Sequence, residues 1–339
     1  CGAGIAANSV EIASATAWRM LARRDPWVNL LRNTIACAGA AMGGADAICV
    51  LPFTWPLGKP DAFSRRIARN THVVLQEESG LGRVADPAGG SFAIERLTDD
   101  LARKAWEIFQ SWEAAGGMGA ALTSGLVQDQ IAAVATARAR DIATLHQPLT
   151  GTSAFPRLGD DGMTVEPWPR PELSADLKGA TAPRLAMARL AEPFERLRDA
   201  ADAHARRTGK ALRVWLANLG TPADFTTRSS WITNVLAAGG VEAIGSEALT
   251  APDDVGHAFA ASGTDIACLC SSDAVYGKFG EAAALALKAA GARRVLLAGR
   301  PKTHEAALAA AGVDQLIADG DDTIAMLTRL HADLDVAAS

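Results

Sequence analysis

Cys268 and Cys270 stand two apart in an apolar run, so in a strand both thiols take one face and Leu269 the other. The five cysteines (Cys1, Cys37, Cys49, Cys268, Cys270) are odd in number and scattered, and no CxxC or Cys/His ligand spacing occurs. This pattern reads as reduced thiols rather than as disulfides or a zinc site. None of the six histidines lies in a ligand constellation. His72, His257 and His304 read as surface or capping residues rather than as catalysts. Arg66, Arg69, Glu77 and Glu78 could form an ion-pair network or contact a partner. Gly2-Ala3-Gly4-Ile5-Ala6-Ala7 imitates a phosphate-cradling glycine loop, but no strand precedes it and it ends in alanine.

The elements that must position any such chemistry fall into three regions. Residues 1–120 are rich in Gly, Ala and Trp with helical segments. There, Thr98 reads as the N-cap of a helix whose apolar residues Leu101, Ala105, Ile108, Phe109 and Trp112 recur at helical spacing before Gly116-Gly117 stops it. Residues 121–209 read as a connector: an amphipathic stretch near 128–143, a Pro-rich run at Pro167-Trp168-Pro169-Arg170-Pro171, and a charged helix from Pro193 to about Thr208. Residues 210–339 alternate strand-like runs (212–219, 241–245, 265–270, 294–297, 315–318) with helical ones (227–238, 252–261, 281–290, 303–311, 322–331). Such βα repetition predicts a parallel sheet covered on both faces; the repetition does not fix the strand order, for which we take 2-1-3-4-5. A ligand would then sit beyond the carboxyl ends of strands 1, 3 and 4, at loops 220–226, 271–278 and 298–302.

Composition bounds the rest. Treating ~150 residues per domain as a prior, 339 residues make about two domains. A net charge of −5 and a pI near 5.7 argue against a nucleic-acid or anionic-membrane partner, which would call for a basic surface. No apolar run approaches the ~18–20 residues that span a bilayer. The start, Cys1-Gly2-Ala3-Gly4, has neither Met nor a signal-peptide pattern, and is expected to be a cut inside a longer cytoplasmic chain.

Five ordered motifs carry a resemblance. Phe63-Ser64-Arg65-Arg66-Ile67-Ala68-Arg69-Asn70-Thr71, then Leu75-Gln76-Glu77-Glu78-Ser79-Gly80, then Val84-Ala85-Asp86-Pro87-Ala88-Gly89-Gly90-Ser91-Phe92 closely resemble the SARIARNTQ, LQEETG and VVDPWGGSYY segments of methylmalonyl-CoA mutases. Glu113-Ala114-Ala115-Gly116-Gly117-Met118 is similar to their EALGGM, and Thr150-Gly151-Thr152-Ser153-Ala154-Phe155-Pro156 to the TGVSEFP of their small subunits. The resemblance implies an α/β chain: a partial (β/α)8 TIM barrel over 1–120, the connector, and a flavodoxin-like, doubly wound sheet of cobalamin-binding type over 210–339.

Catalytic members of that family carry DxHxxG after the first strand of the terminal domain, its imidazole becoming the lower ligand of cobalt and its aspartate orienting the ring. Aligned through Leu216-Ala217-Asn218-Leu219-Gly220, this chain has Pro222 for that Asp, Asp224 for that His, Thr227 for the Gly and Asn218 for a lysine. Ser271-Ser272-Asp273 replaces SxL, and Ala298-Gly299 replaces a Gly pair. Asn218, Pro222, Asp224, Ser272 and Gly299 are thus expected to be vestiges of a cobalamin site that this chain does not fill. In the barrel, the family's substrate-facing His-Thr-Asn is matched by Cys49, Val50 and Leu51, which cannot hydrogen-bond a thioester or carboxylate. The resemblance therefore implies an accessory small subunit without catalytic or metal-binding residues. Its partner would be a catalytic large subunit that holds adenosylcobalamin and interconverts methylmalonyl-CoA and succinyl-CoA. The alternative is an active acyl-CoA mutase chain with altered cofactor binding.

Overall fold

The computed structural model describes residues 10–159, 162–169 and 181–336, so Cys1 and the Gly2–Ala7 run lie outside the described residues. The chain is mixed α/β with parallel sheets, divided into two compact units: Cys1–Arg138 with Asp161–Leu190, and Ala139–Asp160 with Ala191–Ser339. Segment 121–209 is thus shared between them. Among the described residues no helix is long and apolar enough to cross a membrane.

In the first unit, β1 (Ala13–Ala15) pairs in parallel with β2 (Ala47–Cys49), and α1 (Val28–Met42) connects them. The next helix, α2 (Ala62–Val73), starts where the Asp61 carboxylate accepts the Ser64 N–H at 2.7 Å. It is followed by α3 (Phe92–Ala114), α4 (Met118–Thr123) and α5 (Leu126–Ala143), the last running across the unit boundary. Thr98 is not the cap of α3: the helix begins at Phe92, and the Thr98 hydroxyl donates back to the Ile94 carbonyl at 2.8 Å. That inward bond satisfies a mid-helix threonine without ending the helix. No residue of α3 is buried, and Phe92 is 93% exposed. The described part of the Pro-rich run, residues 167–169, has no regular secondary structure. Lys59 donates its N–H to the Glu166 carbonyl, and Trp168 packs against Trp55 with ring centroids 4.6 Å apart.

The second unit opens with α6 (Glu192–Thr208), whose Pro193 lies in the first turn. Then come β3 (Arg213–Asn218), α7 (Pro222–Ala238), β4 (Glu242–Gly245), α8 (Pro252–Ser262), β5 (Ile266–Cys270), the single turn α9 (Asp273–Val275), α10 (Glu281–Ala289), β6 (Arg294–Ala298), α11 (Glu305–Ala310), β7 (Gln315–Ile317) and α12 (Thr323–Asp333). The sheet order is β4-β3-β5-β6-β7, all parallel, which is 2-1-3-4-5 in chain order. Central strands buried on both faces must be apolar throughout, and β5, Ile-Ala-Cys-Leu-Cys, is buried at every position. Trp215, Ala217, Leu269 and Leu297 pack with Phe259 of α8 and Leu287 of α10 on one face. Cys268 and Cys270 take the opposite parity and are free thiols.

Candidate functional site

The carboxyl edge of this sheet is where an open α/β fold binds ligands, and four of the five marked positions lie around the adjoining ends of β3, β5 and β6. Asn218 ends β3 and is only 5% exposed. It leans to the other side, toward β4: its backbone N–H donates to Ser246 Oγ at 3.0 Å and Nδ2 to the Ser246 carbonyl at 2.8 Å. Asn218 Oδ1 is buried without a hydrogen-bond partner.

Pro222 and Asp224 are not loop residues. The helix expected from 227 starts five residues earlier, at Pro222, because Thr221-Pro222-Ala223-Asp224 forms a capping box with proline in the first turn. Asp224 Oδ2 accepts from the Thr221 N–H at 2.9 Å and from its hydroxyl at 2.6 Å. The Thr221 hydroxyl first, and its backbone N–H second, hold the Asp224 carboxyl below the usual carboxylate range. Ser272 Oγ reaches Asp224 Oδ1 at 3.5 Å while capping α9 by accepting the Val275 N–H. Asp224 and Ser272 are therefore brought together, but both act as helix caps.

Gly299 follows β6 with φ +119°, and its neighbour is a residue the sequence did not single out. A Cβ at 299 would meet the guanidinium of Arg228 at 2.7 Å. Arg228 Nη1 donates to the Ser271 carbonyl and Nη2 to Asp273 Oδ1, both at 2.6 Å. Its guanidinium carbon lies 5.2 Å from the ring centroid of Tyr276. Burial works against this charge, but the hydrogen bond that it donates to Asp273 and the neighbouring groups outweigh it and raise the Arg228 pKa. Beneath it, the buried Tyr276 hydroxyl accepts the Ser271 N–H at 2.8 Å and lies within bonding distance of the Leu269 and Ala298 carbonyls. Burial first, then Cys270 and Cys268, push the Tyr276 phenol well up, so it stays a neutral donor. The signal for Arg228 was its place four residues after Asp224, which puts both on one face once α7 starts at Pro222.

In the first unit, Cys49 and Val50 line a cavity of ≈ 610 Å³ with Trp55, Arg65, Arg69 and His72. Leu51 does not line it; its N–H and carbonyl bond Thr16 and Asn33. His72 departs from the surface-histidine expectation: its Nδ1 stands 3.7 Å from the Cys37 sulfur. Burial raises the Cys37 thiol pKa, so it is no ready nucleophile. His257 is exposed on α8, and His304 rests its ring against Gly277 in the helical turn Tyr276–Gly280. Among the described residues no group of three or more His, Cys, Asp or Glu is placed to hold a metal ion.

Residues 5–212 match the family described as methylmalonyl-CoA mutase. The chain belongs to that family. It is 48% identical over 309 residues to the methylmalonyl-CoA mutase small subunit of Streptomyces virginiae, covering 91% of this chain and 48% of that one. It is 40% identical over 325 residues to the small subunit of Propionibacterium freudenreichii subsp. shermanii (95% and 49% covered). It is 42% identical over 301 residues to the probable small subunit of Mycobacterium bovis (87% and 46%). The chain spans about half the length of these methylmalonyl-CoA mutase relatives.

Proposed function

We propose that this chain is the carboxy-terminal part of an accessory small subunit of adenosylcobalamin-dependent methylmalonyl-CoA mutase, supporting a catalytic large subunit in a cytoplasmic heterodimer. Residues 1–120 are read as the later part of an acyl-CoA mutase (β/α)8 barrel and 121–209 as a connector. Residues 210–339 are read as a flavodoxin-like domain whose cobalamin-type site is degenerate.

The observation that carries this reading is the state of Asp224. It stands where the family's cobalt-ligating imidazole belongs, and its carboxylate is bound to Thr221 as a helix cap. The residues present do not fit a histidine-ligated cobalamin. The segments 220–226, 271–278 and 298–302 contain no histidine, and Arg228 lies against the Gly299 backbone. Cys49 and Val50 on the cavity wall in the first unit likewise offer no hydrogen bonds for an acyl thioester. The names of the relatives support the small-subunit assignment.

The test is co-expression of the full-length protein with its cognate catalytic chain, followed by size-exclusion chromatography. A co-eluting heterodimer is expected, with an obligate-type interface upwards of ~2,000 Å². A full-length chain that stays monomeric beside that partner contradicts the proposal.

A further inference from the structure

We infer that Arg228 is a built-in clasp that holds the carboxyl edge of the sheet closed, using the space over Gly299 that a ligand's own atoms would need. The inference does not depend on the accessory-subunit reading, because it concerns how the crest holds itself together without a bound molecule.

Three loops must be pinned there, and one guanidinium touches groups from two of them while rooted in the third connection. It extends from α7, donates to the Ser271 carbonyl and the Asp273 carboxylate after β5, and lies against Gly299 after β6. A surface ion pair alone would be worth little, and Asp273 is more than half exposed. What distinguishes this one is the planar fork: it bonds a carbonyl and a carboxylate together while the cation covers the Tyr276 ring. Gly299 suits the same geometry: its φ of +119° disfavours any L side chain, and a Cβ there would press on the guanidinium and displace it. Tyr276 then relays the clamp inward to the ends of β5 and β6 through the Leu269 and Ala298 carbonyls.

Removing the side chain would leave a planar slot bounded by a carbonyl, a carboxylate, an aromatic face and glycine backbone. Such a slot takes a small planar organic cation of the guanidinium class and discriminates against a compact ammonium of equal charge. Tyr276 is the single tyrosine of the 339-residue chain, so labelling with 3-fluorotyrosine places one ¹⁹F reporter directly under the clasp.

The experiment compares wild type, R228A and R228K by ¹⁹F NMR and amide hydrogen exchange. R228A is expected to shift the resonance and to lower protection of the amides of 271–280 and 299–302 by about tenfold, the scale of one charge-assisted hydrogen bond. Methylguanidinium, at concentrations below denaturing ones, is expected to restore both saturably, and methylammonium to restore neither. R228K keeps the charge without the fork, and should shift the resonance in the same direction even if R228A folds poorly. An unchanged resonance and unchanged protection in R228K and R228A, or equal effects of the two cations, would overturn the clasp.

Discussion

Pro222 and Asp224 show how far single residues can be read without their neighbours. That neither can offer an imidazole was legible in the sequence, because residue type alone decides it. What they do instead was not legible until the start of α7 was known, since a cap is defined by where the helix begins. Arg228 was missed for the same reason: its role depends on three loops distant in sequence. The same scale yields a pH prediction at His331, which is 5% exposed and donates from Nε2 to the Gly239 carbonyl at 2.8 Å. Burial lowers its pKa, against the pull of that carbonyl and with a further push from His204. A folded pKa below the unfolded value of about 6.5 means the unfolded chain binds the proton more readily. This contribution to stability is full above that value and is lost as pH falls toward the folded pKa. The thermal midpoint should therefore drop on acidification from pH ~7.5 to ~5.5, and H331Q should flatten that dependence. Parallel curves for wild type and H331Q would count against it.

At the scale of elements, the five strands were readable because buried parallel strands must be continuous apolar runs, a signal that survives without tertiary context; their order is not carried by those runs. Helix starts were less readable. The onset of α3 lies at Phe92 rather than beyond Thr98, since a threonine hydroxyl can serve as a cap or bond back within a helix. The short turn between α7 and β4 exposes one constraint that composition hides. Gly240 has φ +78°, and a Cβ there would sit 2.7 Å from the Ala201 Cβ. G240A should cost at least the ~1–2 kcal/mol of a left-handed non-glycine residue, with the α6 contact adding to it. Denaturant unfolding measures this, and a change under a few tenths of a kcal/mol would refute the turn geometry.

For the whole molecule, the division into two units could not be read from the order of the chain, because segment 121–209 contributes to both. Among its described residues, 181–188 is a run of exposed positions without regular secondary structure that includes Arg184, and it is open to attack. Limited trypsin digestion should cut there before it cuts within α7 through α12, and an earlier cut inside that sheet unit would contradict the division. The central claim is that the crest of this sheet is filled by the chain's own side chains and supplies no imidazole to cobalt. Titration of the purified protein with adenosylcobalamin, followed by its visible spectrum, tests that most directly. No base-off, histidine-ligated shift is expected in wild type or in D224H, because Pro222 and Arg228 remain. A saturable base-off shift in the wild-type protein, abolished by D224A, would contradict the account.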